Sequence, residues 1–174
     1  IGGGASTTVT LLASDPALAV GNNLSILSAG TFVASNIATT TIAGNYQNSG
    51  NFVGSGGRLT FIGSGTQTIA AGNSSFSNVT INGTGDFTIT ENATSTGAFI
   101  LTNHDTFTLD TGLTLALGST FTNSLGGAAT TFTGSTLYFY GGGDRTINAS
   151  STSDSYENLN VASSTNVRMW SSSA

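Results

Sequence analysis

The chain has 174 residues, room for one long domain or two short ones, and its 41 Ile, Leu, Val and Phe residues, about 24%, exceed the roughly 20% expected of disordered chains. Three Arg, no Lys and eight carboxylates give a net charge of −5 and exclude an electrostatic nucleic-acid footprint. The absence of Cys excludes disulfides and thiolate metal sites, and apolar runs of about four residues fall far short of the ~20 needed to span a bilayer.

Along the chain, Asp15–Val20 is the one plausible short helix, with Pro16 suited to its first position. Short alternating segments then recur: Thr31–Val33, Thr39–Ile42, Asn51–Val53, Arg58–Ile62, Gln67–Ile69, Asn78–Ile81 and Asp86–Thr90. Each has the period-2 pattern and the β-branched and aromatic enrichment of a half-buried strand. Between them lie Gly54–Gly57, Gly63–Gly65, Gly83–Gly85 and Gly141–Gly143, clusters suited to tight corners. Charged residues are only 6% of the chain, whereas Thr, Ser, Asn and Gly fill 94 positions, so hydroxyls and amides must hydrate the outer face.

The chain also matches itself. Leu24–Phe32 aligns with Phe99–Phe107 at an offset of 75, Leu59–Ile69 with Leu137–Ile147 at 78, and Phe76–Ile81 with Tyr156–Val161 at 80. This divides the sequence into a partial unit (1–23), a first unit (24–98) and a truncated second unit (99–174), expected to form one continuous solenoid. Tandem antiparallel β-sandwich domains are the alternative all-β architecture. The β-solenoid is preferred because Asn82-Gly83 is the only Asn-Gly hairpin signal, charge is low, and the second copy stops mid-unit.

Thr60–Ile69 with Phe76–Asn82, and Gly134–Tyr138 with Val167–Ala174, resemble the repeat-rich β-helix proteins of bacterial surfaces, of the filamentous-haemagglutinin and autotransporter-passenger type. The resemblance implies a right-handed parallel β-helix acting as a stalk or adhesin, extracellular or on the cell surface, and part of a longer protein. No catalytic role and no cofactor is expected. The expected partners are adjacent repeat units or further copies stacked end to end, because a solenoid end exposes unpaired backbone groups.

The sharpest catalytic candidate is His104 with Asp105 and Asp110, a base beside carboxylates. It is set aside because the chain has one His and no Lys, and a polar turn explains these residues. Gly142–Ile147 echoes a calcium-binding nonapeptide but lacks its spacing, so no metal site is expected, and a P-loop lacks its Lys. A carbohydrate-binding or carbohydrate-cleaving β-helix is the alternative function. Strand alternation points Tyr138, Tyr140 and Trp170 outward, and exposed rings beside hydroxyls suit stacking on sugars. The same rule points Leu59, Phe61, Leu137, Phe139, Val167 and Met169 inward. Eight Thr-x-Thr pairs resemble the flat ice-binding faces of some solenoids, but about five are expected by chance and their spacing is irregular, so no regular ladder is expected.

Overall fold

The computed structural model describes residues 1–4, 6–72, 74–124, 129–149 and 155–171, with the side chains of 149, 170 and 171 outside the description. The chain winds into a three-sided β-solenoid. The first sheet stacks Thr7–Thr10, Gly30–Val33, Asn51–Val53, Ser75–Phe76, Ala93–Ser95, Thr114–Leu117, Thr136–Phe139 and Asn158–Val161. The second stacks Leu18–Val20, Thr39–Ile42, Arg58–Phe61, Asn78–Asn82, Phe99–Asn103, Phe121–Asn123, Gly143–Ala149 and Thr165–Ser171. The third holds Leu24–Ile26, Tyr46–Asn48, Gln67–Ala70, Asp86–Ile89, Thr106–Leu109 and Thr130–Thr131. Eight strands make seven steps of about 4.8 Å, a stack of about 34 Å.

Among the described residues every strand pairing is parallel, from Thr7 against Gly30 at one end to Gly143 against Thr165 at the other. That removes the tandem sandwiches, which require antiparallel hairpins. The lap is elastic in length: Thr39 pairs with Arg58, 19 residues on, while Phe121 pairs with Ile147, 26 residues on. Corners absorb the difference and the strands keep their register.

Alternation within each strand builds the core. Leu59, Val79, Phe99, Phe121 and Ile147 stand in one registered inward rank, all nearly inaccessible to solvent. Phe87 over Phe107 continues the packing from the third sheet, and Leu115 over Leu137 from the first. Phe99 and Phe121 stack with centroids 6.2 Å apart, and Phe99 meets Phe107 edge to face at 6.0 Å. Each such buried ring contributes roughly 1.5–3 kcal/mol from its apolar area. Several inward polar groups are bonded to one another or to the backbone. Ser74 Oγ receives the Asn48 amide at 2.9 Å and shares a hydrogen bond with the Tyr46 hydroxyl at 2.8 Å, and desolvation pushes that phenol's pKa well above its usual value.

One expectation changes here. No α-helix forms at Asp15–Val20; Leu18–Val20 is a strand, and Asp15 takes a left-handed φ of +44°. Its carboxylate accepts from Ser35 Oγ at 2.9 Å and from the Asn36 amide at 3.0 Å, so a bond to the next lap replaces the local helical one. The self-matching stretches also fall on different sheets. Leu24 lies on the third sheet and Phe99 on the second; Leu59 lies on the second and Leu137 on the first. All three walls use the same inward alternation, so sequence matching registers strand with strand without registering wall with wall.

Candidate functional site

Tyr138 sits on the outer face of the first sheet, with Ala116 beneath it and Asn160 above, while Leu137 and Phe139 beside it point into the core. Tyr140 follows on the same face. The two rings stack on each other, centroids 6.1 Å apart and planes within 27°. Both are half-buried, and the small residues Ala116 and Gly118 in the preceding lap leave room for them. Arg145 Nε donates to the Tyr140 carbonyl at 3.2 Å. Burial raises the Tyr140 phenol's pKa, and the Arg145 charge opposes that shift.

Trp170 does not join them. Its backbone pairs with Asn148 on the second sheet, and its side chain lies outside the described residues. The structure therefore brings two of the three sequence-selected aromatics together and places the third on another wall. In the same strand Val167 packs against the core, whereas Met169, inward by its pairing with buried Ile147, is 62% exposed because it lies at the end of the stack. Arg168 projects outward and pairs with Asp144 at 2.9 Å.

His104 lies at the corner after Phe99–Asn103, buried against Phe107 with ring centroids 6.2 Å apart. Neither ring nitrogen has a hydrogen-bond partner, so Asp105 and Asp110 do not orient it as they would a general base. Desolvation lowers its pKa, and the Asp105 backbone and carboxylate partly oppose that. Among the described residues no cluster of three or more His, Asp or Glu could hold a metal, and no helix is long and apolar enough to cross a membrane.

The sequence reading missed an arrangement on the third sheet. Four of the eight Thr-x-Thr pairs, Thr66/Thr68, Thr88/Thr90, Thr106/Thr108 and Thr131/Thr133, fall on this one wall in four successive laps. Thr68, Thr88, Thr108 and Thr131 stand in direct register as one rank. The expectation of no regular ladder is corrected on this face: linear spacing is irregular because corner lengths vary, whereas parallel pairing aligns the hydroxyls. The rank extends back through Asn45, whose Oδ1 accepts the Thr68 amide at 2.8 Å, to Asn23, whose Oδ1 accepts the Asn45 amide at 2.8 Å. Asn23, Asn45 and Thr68, with Ser25, Gln47 and Tyr46, line a shallow open depression of about 300 Å³.

Compared with family models, with curated proteins and with solved structures, the chain has no match in any of the three.

Proposed function

We propose that this chain is a structural, adhesive segment of an extracellular bacterial surface protein or filament, without catalysis, which extends by stacking further laps on its ends. The observation that carries this reading is the exposed core of the last lap. Leu159, Val161 and Met169 pair with the buried residues Leu137, Phe139 and Ile147, yet are 42%, 44% and 62% exposed. A further lap, from an adjoining repeat unit or a second copy, would cover them and pair the open strand edges. The Lys-free surface rich in Thr, Ser, Asn and Gly supports an extracellular setting by association.

Sedimentation velocity with negative-stain electron microscopy of the 174-residue chain tests it. Concentration-dependent end-to-end growth that Val161→Asp with Met169→Asp abolishes is the expected result. Wild-type chain that stays monomeric at every concentration overturns the stacking.

A second reading, a carbohydrate-binding face, draws on the stacked Tyr138 and Tyr140 pair, with Trp170 as the third ring the sequence selected. A glycan array compares the wild-type chain with Tyr140→Ala and Trp170→Ala. Binding lost in either variant supports it; no bound glycan, or binding untouched by both changes, removes it.

A further inference from the structure

We infer that the outer face of the third sheet binds ice, through the threonine rank formed by Thr68, Thr88, Thr108 and Thr131. Water freezing onto a protein needs a surface that holds its first layer in a repeating pattern, which isolated hydroxyls do not supply. Parallel pairing supplies one period: successive threonines in the rank are directly registered, so they recur every 4.8 Å or so along the solenoid axis. Strand geometry supplies the other, because residues i and i+2 on one face lie about 6.7 Å apart. Each of the four laps carries a second threonine two residues from the rank: Thr106, within its strand, and Thr66 on one side, and Thr90 and Thr133 on the other, the last three just outside the strand ends. The central rank and half of its flanking positions thus offer a methyl group and a hydroxyl at points of a two-dimensional net, comparable in both directions to the spacing of oxygens in hexagonal ice.

Threonine suits this task because its β-branch restricts χ1, so neighbours in a rank share one orientation. The methyl excludes disordered water and the hydroxyl anchors the ordered layer. The other walls lack this continuity. On the second sheet the central outer rank runs Thr41, Thr60, Thr80 and then Ile100, and Arg58 donates to Thr80 Oγ1 at 2.6 Å. On the first, Val33 and Val53 precede Ser75, and Ala116 and Tyr138 follow Thr94.

Four flanking positions of the third-sheet net are not threonine: Ala70 and Ala129, which keep a methyl without a hydroxyl, and the carboxylates Asp86 and Asp110. Asp86 occupies a flanking position and accepts from Thr106 Oγ1 at 2.7 Å, and Asp110 stands between Thr90 and Thr133 in the opposite flank. Carboxylates hold their own hydration shells, so each leaves a gap in the net, and Asp110→Thr would close one of them.

Slow directional freezing, with protein measured in the ice and in the remaining liquid, tests the inference alongside an ice-recrystallisation assay. The wild-type chain is expected in the ice fraction, Asp110→Thr more strongly so, and Thr88→Lys with Thr108→Lys lost from it. Thr31→Lys, a charge on the outer face of the first sheet, should stay with the wild type. Circular dichroism melts establish that each variant is folded; if the double Lys variant is not, Thr88→Ser with Thr108→Ser removes only the methyls and is expected to weaken retention. Wild-type chain excluded from the ice overturns the inference, as does a folded double Lys variant that is retained, or a Thr31→Lys variant that loses retention equally.

Discussion

Both ring nitrogens of His104 are buried without a partner, so the imidazole is tolerated as a neutral ring and resisted as a cation. Its folded pKa therefore lies below the value of about 6.5 for an unfolded His. Above that value neither state is protonated and stability is full; as pH falls below it, the unfolded chain takes up a proton that the folded chain refuses, and stability drops until the folded pKa is passed. Thermal melts should show a falling midpoint from pH 7.5 to 5, and His104→Leu should flatten that stretch. A melting curve equally pH-dependent in the variant would assign the effect elsewhere. Gln67 is the opposite case, a buried polar group with its bonds made: its amide donates to the Ile42 carbonyl at 3.2 Å and to the Gly44 carbonyl, and accepts from the Gly63 amide at 3.0 Å. Gln67→Leu orphans the Gly63 amide and should cost about 1–3 kcal/mol in denaturant titration. Alternation from Asp86 to Thr90 makes Phe87 and Ile89 recognisable as core in the sequence. His104 does lie at a corner, as its polar neighbours suggest, but its burial against Phe107 was not legible in the sequence.

At the scale of the strand and the corner, glycine permits close stacking of successive laps. A Cβ on Gly83 would meet the Gly63 carbonyl at 2.1 Å, and one on Gly85 would meet the Gly65 carbonyl at 2.1 Å, whereas one on Gly65 would find open space. Gly83→Ala should thus lower the melting temperature by several degrees, for a cost of order 1–3 kcal/mol, while Gly65→Ala leaves it nearly unchanged. Equal melting of the two variants would refute that account. These corners were visible in the sequence as Gly63–Gly65 and Gly83–Gly85, and so were seven of the strands, from Gly30–Val33 to Asp86–Ile89. Which wall each strand joins was not visible, since Leu59 and Leu137 carry the same alternation on different sheets. Linear offsets cannot show it when laps vary in length, and for the same reason the threonine rank emerged only with the pairing. Trp170 was grouped with Tyr138 and Tyr140 by outward parity, which says nothing about the wall on which a strand lies.

For the whole molecule, each lap touches only the laps before and after it, so stability approximates a sum of lap and interface contributions. Phe107, fully buried in a middle lap, should cost about 3–5 kcal/mol when truncated to Ala, whereas Val9 on the first strand, 36% exposed, should cost well under half of that. Hydrogen exchange should follow the same gradient, with the slowest amides in the Asn78–Asn82 and Phe99–Asn103 strands and the fastest in Thr7–Thr10 and Asn158–Val161. Uniform protection along the axis would mean that the laps unfold as one block. The variation from 19 to 26 residues per lap has a broader evolutionary consequence. An insertion beside Ile37, on a bend and already 79% exposed, is pushed sideways into solvent so long as it keeps in place the flanking residues bonded to neighbouring laps, Ser35 and Asn36 to Asp15 and Ala38 to Arg58. Relatives of such a chain could drift in length while conserving their architecture, and a foreign epitope spliced in at that bend would be displayed without disturbing its host.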